Sequence, residues 1–125
     1  MTKTRAFIFA RGGSKGILGK NLVNFNGHPL IAHSILIAKK INSIEKIYVS
    51  TDSDQIADVS SKYGVSIIKR PKKLATDDSP EWLSWQHAIK NSINSDGDFS
   101  RFISLPTTAP LRIESDIRKC LDALK

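Results

Sequence analysis

The chain has 125 residues, of which 40% are hydrophobic, 25% charged and 7% aromatic, a composition typical of a globular domain and not of disordered or fibrous protein. Nineteen Lys and Arg against twelve Asp and Glu give a net charge of +7, which invites a phosphate-rich partner. The single cysteine, Cys120, cannot form an internal disulfide, and no apolar stretch reaches the roughly 20 residues of a membrane span. We therefore expect one domain over residues 1–125, cytoplasmic and without a membrane segment.

The positive charge is concentrated at the start of the chain. The first 44 residues contain seven Lys and Arg and no acid, whereas twelve cations balance twelve acids from Glu45 onward. A nucleic-acid module usually interleaves its cations with aromatic residues that stack on bases, but Phe7, Phe9 and Phe25 fit core positions. We expect no nucleic-acid partner, and a solvated basic face is the alternative explanation of the charge.

Strand and helix patterns alternate along the chain. Residues 6–10 form a short apolar run typical of a strand buried on both faces, and residues 30–41 carry apolar side chains at helical spacing. The other predicted strands are residues 46–50, 65–69 and 102–105, and the other predicted helices are residues 54–63, 80–93 and 114–124. Four strand–helix cycles predict an α/β fold, a three-layer α/β/α domain with a doubly wound, mainly parallel sheet.

Ligands bind such a sheet beyond the carboxyl ends of its strands. The residues that follow the predicted strands are therefore expected to meet at one edge of the sheet. They are Arg11, Asp52, Arg70 and Pro106.

The longest predicted loop is rich in glycine and begins directly after the first strand, where residues 10–21 read Ala-Arg-Gly-Gly-Ser-Lys-Gly-Ile-Leu-Gly-Lys-Asn. A Walker loop would need glycine at Ser14 and Ser or Thr at Asn21, and the dinucleotide fingerprint would need glycine at Arg11 and a following acid. Neither motif is present. What remains is a flexible loop with exposed backbone N–H groups and several cations, a combination that suits a polyphosphate. The cations are Arg11, Lys15 and Lys20.

Three later segments complete a recognisable pattern. Residues 49–52 read Val-Ser-Thr-Asp, residues 70–77 read Arg-Pro-Lys-Lys-Leu-Ala-Thr-Asp, and residues 105–112 read Leu-Pro-Thr-Thr-Ala-Pro-Leu-Arg. Together with the loop, whose family signature is close to A-R-G-G-S-K-G-[IL]-P-x-K-N, they resemble the acylneuraminate cytidylyltransferases, which activate sialic and other nonulosonic acids as CMP-sugars. The chain departs from that signature at Leu18, where the family usually has proline.

The resemblance implies a Rossmann-like nucleotidyltransferase that condenses CTP with a sialic-acid-like 2-keto sugar acid and releases pyrophosphate with the help of Mg²⁺. Arg11 and Lys20 are the implied catalytic residues, because they would hold the CTP phosphates. The sugar's anomeric hydroxyl would attack the α-phosphorus in line while fixed cations stabilise the leaving pyrophosphate. The other implied CTP-binding residues are Gly12, Gly13, Ser14, Lys15, Asn21, Arg70, Ser79 and Thr107.

Simpler structural explanations exist for several of these residues. Asp52 is a candidate metal ligand that could pair with Asp54, yet a helix N-cap at Asp52 or Ser53 with a first-turn acid at Asp54 explains the same pattern. Arg70 could be a solvated strand end. The two tryptophans of the third cycle, Trp82 and Trp85, are interpreted as packing residues.

Members of the resembled family are about twice as long as this chain. The resemblance therefore implies that the Mg²⁺ ligands lie downstream of Lys125, and that the full-length protein is a homo-oligomer, a dimer or tetramer. Two alternatives stay open: a nucleotide-binding fragment without turnover, and a basic RNA-binding module that uses the first 44 residues. The choice among sialic, legionaminic and pseudaminic acid also stays open.

Overall fold

A computed structural model of the chain describes residues 3–10, 24–25, 27–74 and 80–105. In chain order its elements are β1 (Thr4–Phe9), β2 (Asn24–Phe25), β3 (His28–Pro29), α1 (Leu30–Lys39), β4 (Ile44–Thr51), α2 (Asp54–Ser61), β5 (Ser66–Lys69), a 3₁₀ helix (Lys72–Leu74), α3 (Glu81–Asp96) and β6 (Arg101–Leu105). The short antiparallel pair β2 and β3 lies where the sequence predicted only the end of a loop. The predicted helix at residues 114–124 lies outside the described residues.

Within the described residues, four strands form one parallel sheet in the order β5-β4-β1-β6. Strands β4 and β5 lie successively further from β1 on one side, and β6 lies next to β1 on the other side. This reversal makes a topological switch point between β1 and β6, the place where doubly wound sheets bind their ligands. The predicted parallel α/β/α architecture is confirmed.

Helices cover both faces of the sheet because side chains alternate along each strand. Ile8 of β1 belongs to the cluster on one face, where Ile35 of α1 and Ile56 of α2 also pack. Phe7 belongs to the cluster on the opposite face, with Tyr48 of β4 and Ala88 of α3. The rings of Phe7 and Tyr48 stack with their centroids 4.8 Å apart. The core therefore consists of two apolar layers with the sheet between them.

The ends of the helices differ by a few residues from the predicted ones. Two helices stop two residues earlier than predicted, at Lys39 and Ser61, and α3 runs on to Asp96. Gly64 and Gly97 follow these ends with φ values of 80° and 84°, a backbone region that glycine enters without steric cost. Within the described ranges, no helix has the length and apolar character needed to cross a bilayer.

The two tryptophans of α3 have different environments. Trp85 packs on Phe102 of β6 with ring centroids 5.4 Å apart, which confirms the packing interpretation. Trp82 in the first turn is 55% exposed, so the packing interpretation is wrong for that residue.

Candidate functional site

Backbone hydrogen bonds align the carboxyl ends of three neighbouring strands. The Ala10 N–H donates to the Ser50 carbonyl at 3.0 Å, and the Arg70 N–H donates to the Thr51 carbonyl at 2.9 Å. The exits of β1, β4 and β5 therefore form one row. Arg70 lies at this edge, as predicted.

Arg70 is buried at the edge, with 7% of its surface exposed. Its guanidinium Nη1 donates a hydrogen bond to Ser84 Oγ of α3 at 3.0 Å. Ser84 Oγ in turn donates to the carbonyl oxygen of Leu74 at 3.1 Å. These contacts hold the cation against α3, so the interpretation of Arg70 as a solvated strand end is wrong.

The electrostatic surroundings of Arg70 favour a ligand with acceptor atoms or negative charge. Ser84 lies close to the start of α3, where the helix dipole contributes positive potential in addition to the guanidinium charge. His87, one turn further along, has a pKa below its ordinary value of 6.5, first because the imidazole is partly buried and second because of the Arg70 charge. The imidazole is therefore neutral at pH 7.

Sequence reasoning did not identify Ser84 or His87 as neighbours of Arg70. The signal for Ser84 was present, since Ser84, Ala88 and Ser92 are small residues four apart on α3 and all three are buried. Such spacing places them on one face of a helix, and small side chains let that face approach the sheet closely.

Capping explains two of the polar residues after β4. Ser53 is the N-cap of α2, and its Oγ accepts a hydrogen bond from the Ile56 N–H at 3.2 Å. Asp54 is an exposed acid in the first turn that pairs with Lys69, and this hydrogen bond lowers the pKa of Asp54 below its ordinary 3.8. Of the two candidate caps, the structure selects Ser53 over Asp52, which lies half-buried at the same edge.

Among the described residues, no cluster of side chains forms a metal site by itself. Over residues 3–10, 24–25, 27–74 and 80–105, no three His, Cys, Asp or Glu side chains cluster in a way that could hold a metal ion. Magnesium prefers octahedral oxygen ligands, and Asp54 is already engaged by Lys69. The role of Asp52 as a metal ligand therefore stays a prediction.

Most of the other predicted site residues lie outside the described part of the chain, so their roles stay predictions. Parallel pairing of Ile8 with Leu105 shows that the chain leaves β1 and β6 at the same edge, with residues 11 and 106 close behind in the sequence. The predicted site residues outside the described ranges are Arg11, Gly12, Gly13, Ser14, Lys15, Lys20, Asn21, Ser79 and Thr107.

A separate groove of about 700 Å³ runs between α3 and the 3₁₀ helix. Its lining includes Pro71, Leu74, His87 and Ile93. The 3₁₀ helix follows β5, which is the edge strand furthest from β6. The groove is therefore distinct from the switch point between β1 and β6.

Comparisons with known proteins agree with this geometry. A family model described as cytidylyltransferase matches residues 6–125. An N-acylneuraminate cytidylyltransferase of Escherichia coli O18:K1:H7 is 37% identical over 116 residues, which are 93% of this chain and 27% of that protein. A CMP-N,N'-diacetyllegionaminic acid synthase of Legionella pneumophila is 40% identical over 121 residues, which are 96% of this chain and 52% of that protein.

The fold also matches a solved structure. CMP:2-keto-3-deoxy-manno-octonic acid synthetase complexed with CTP superimposes with a TM-score of 0.77 at 21% identity, over 98% of this chain and 47% of that one. A match at this level of sequence identity shows that the fold is similar and carries no information about function. The chain spans about half the length, or less, of the relatives it matches.

Proposed function

Because the chain belongs to the cytidylyltransferase family, we propose that it transfers CMP from CTP to the anomeric hydroxyl of a nonulosonic, sialic-acid-like 2-keto sugar acid and releases pyrophosphate. The names of its relatives, which act on acylneuraminate and diacetyllegionaminic acid, support this acceptor class. The single structural observation that carries the proposal is the buried cation Arg70 at the carboxyl edge of the parallel sheet.

The proposed nucleotide position is the carboxyl edge between the switch point and Arg70. The phosphates would lie beside the glycine-rich loop that follows β1. Arg70 follows β5, two strands from β1, which is roughly 10 Å at the usual strand spacing. A nucleotide laid along the edge would then contact both the loop and the guanidinium.

The proposed chemistry uses fixed positive charge and positioning. Arg11 and Lys20 hold the outer phosphates of CTP, and the backbone N–H groups of Gly12 and Gly13 supply further donors. The anomeric hydroxyl attacks the α-phosphorus in line, and the bond to the pyrophosphate oxygen breaks. The two cations stabilise the negative charge that develops on the leaving group.

We further propose, from the family resemblance, that Mg²⁺ accompanies the CTP phosphates, that the full-length protein is a homo-oligomer and that it is cytoplasmic. No step above is routed through the metal, because no cluster of metal-binding side chains occurs among the described residues.

Calorimetry with CTP, UTP, ATP and GTP, each with Mg²⁺, tests the nucleotide class before any sugar is chosen. We expect this chain to bind CTP selectively, and we expect pyrophosphate release with sialic, legionaminic or pseudaminic acid once the metal ligands expected downstream of Lys125 are also supplied. CTP binding without pyrophosphate release for any of the three would indicate a nucleotide-binding chain without turnover. Oligonucleotide binding with a steep salt dependence, in the absence of CTP binding, would overturn the proposal in favour of an RNA-binding module.

A further inference from the structure

Helix α3 carries two buried serines that each accept a hydrogen bond from a buried arginine. Near its start, Ser84 Oγ accepts from Arg70 Nη1 at 3.0 Å. Eight residues later, roughly 12 Å along the helix, Ser92 Oγ accepts from Arg5 Nη1 at 2.7 Å. The two serines are equally buried, with 2% and 0% of their surfaces exposed. The same contact therefore occurs once at each edge of the sheet.

The contact at the carboxyl edge is part of a relay. Ser84 Oγ accepts from Arg70 and donates to the Leu74 carbonyl at 3.1 Å, so its single proton is directed away from the guanidinium. The relay connects the residue after β5, the 3₁₀ helix and α3. A planar guanidinium that is held at one Nη atom has a restricted orientation for its remaining donors.

We propose that Ser84 is the positioning residue for Arg70, and that through Arg70 it sets the preference of the site for CTP over UTP. This inference rests on the proposed function, because it assumes that Arg70 contacts the bound nucleotide. In this role Ser84 acts through its hydrogen bonds with Arg70 and the Leu74 carbonyl. The nucleotide is read by the guanidinium that Ser84 orients.

The neighbouring imidazole supports the same assignment. His87 lies on the next turn of α3 and is neutral at pH 7, because burial and the Arg70 charge lower its pKa. A neutral imidazole adds no second positive charge that would repel the guanidinium from the orientation set by Ser84.

The test compares Ser84→Ala with the matched control Ser92→Ala. Each variant removes one oxygen atom from the same buried face of α3 and one arginine–serine hydrogen bond. Ser84→Ala also removes the hydrogen bond to the Leu74 carbonyl, so urea unfolding of both variants accompanies the binding measurement. We expect Ser84→Ala to weaken CTP binding three- to tenfold, about the loss of one net hydrogen bond, and to reduce the preference for CTP over UTP. Ser92→Ala should leave both quantities unchanged.

A double-mutant cycle separates positioning from general destabilisation. If Ser84 acts through Arg70, the Arg70→Ala/Ser84→Ala double variant binds CTP as Arg70→Ala alone does, because the two effects are not additive. Additive losses, or equal losses in Ser84→Ala and Ser92→Ala, would overturn the inference. Ser84→Cys, whose thiol is a weak hydrogen-bonding group of similar size, gives the same comparison if the alanine variant does not fold.

Failure of this inference is distinguishable from failure of the proposed function. If the unmodified chain binds CTP and Arg70→Ala impairs binding while Ser84→Ala does not, the positioning role alone is wrong. If the unmodified chain does not bind CTP selectively, the proposed function is wrong, and the inference is overturned with it.

Discussion

Two buried arginines lie at opposite edges of the same sheet and contact opposite ends of the same helix. Arg5 at the amino edge is 1% exposed and Arg70 at the carboxyl edge is 7% exposed. Arg5 donates to the Glu45 carboxylate at 3.1 Å and to the Asp96 carbonyl at the end of α3 at 2.9 Å. Arg70 donates to the neutral hydroxyl of Ser84 near the start of α3.

The two arginines differ in their partners because they contact opposite ends of α3. A cation beside the last carbonyl groups of a helix is stabilised by the dipole and satisfies acceptors that lack an intrahelical partner. Arg5 therefore stabilises the fold. A cation near the first turn adds to the positive potential of the dipole, and an incoming anion gains from both. Arg70 is accordingly suited to ligand binding.

The largest expected effect is on folding, in Arg5→Ala. The variant removes the cation that is hydrogen-bonded to Glu45 and leaves carbonyl groups at the end of α3 without a donor, so we expect a loss of about 3 kcal/mol in the free energy of unfolding. Urea unfolding measures it. Lys3→Ala is the control, because Lys3 is half-exposed and lies 4.0 Å from the same carboxylate, a contact worth about 0.5 kcal/mol or less. Equal losses in the two variants would contradict the assignment.

Arg11→Ala and Lys20→Ala test the proposed role of the carboxyl edge in binding the nucleotide. Both cations are proposed to hold the outer phosphates, so each variant should lose about 1.5 to 3 kcal/mol of CTP affinity, and much less CMP affinity. Calorimetry with the two nucleotides measures the difference. Lys62→Ala, at an exposed cation beyond α2, should change neither value. Equal losses for CMP and CTP would place these cations at the base or ribose instead.

Arg70→Ala and Asn21→Ala test nucleotide recognition. We expect each variant to lose most of its preference for CTP over UTP, about tenfold if one net hydrogen bond carries the discrimination. Titration of both nucleotides into each variant measures the ratio. Lys69→Ala is a matched control, because Lys69 precedes Arg70 but is exposed and pairs with Asp54. Intact selectivity in folded Arg70→Ala would show that Arg70, like Arg5, is only structural.

Tyr48→Phe tests the amino edge with a smaller change. The Tyr48 hydroxyl donates to Asp96 Oδ2 at 2.6 Å, and its loss should cost about 1 kcal/mol of unfolding free energy. Burial, and then this hydrogen bond, raise the pKa of Tyr48 above 10.0. As the pH rises, the Tyr48 phenol of the unfolded chain therefore loses its proton before the phenol of the folded chain does. The stability that this phenol contributes is complete below pH 10.0 and is lost as the pH rises above that value. Urea unfolding across this range should show a weaker alkaline loss in Tyr48→Phe than in the unmodified chain.

The smallest expected effect is the acid response of the carboxyl edge. Because burial and Arg70 lower the pKa of His87 below 6.5, the unfolded imidazole takes up a proton first as the pH falls. The contribution of His87 to stability is complete above pH 6.5 and decreases as the pH falls below that value. His87→Gln should flatten this decrease in urea unfolding midpoints. An unchanged acid slope would mean that the Arg70 surroundings do not disfavour the imidazolium.

The sequence predicted features whose causes are local. Apolar runs, helical spacing and glycines marked the strands and helices, and the alternation of the two indicated the parallel sheet. The predicted sheet was enough to place Arg70 at the carboxyl edge, and no side-chain contact had to be known. The choice between Asp52 and Ser53 as the cap was not decided, because both residue types cap well and only the backbone shows which side chain reaches the Ile56 N–H.

Features that depend on distant residues were not predictable. In the sequence Arg5 is one of several cations in an acid-free stretch, yet its partners Glu45 and Ser92 are 40 and 87 positions away. In the sequence, nothing distinguishes Ser84 from the other serines of the chain. Its contact with Arg70 exists only once α3 packs on the sheet. Such pairings arise only when the elements pack, so neither patterning nor capping rules reveal them.

The sequence by itself thus determined the class of fold, the family and the edge at which ligands are expected, because periodicity and motif spacing are properties of neighbouring residues. The tertiary structure alone decided which end of α3 each buried arginine contacts. That placement depends on burial, on long-range hydrogen bonds and on the direction of a helix dipole, all of which exist only after the layers have packed. For this reason two arginines of the same chemistry serve different purposes, one holding the fold together and the other facing the proposed nucleotide.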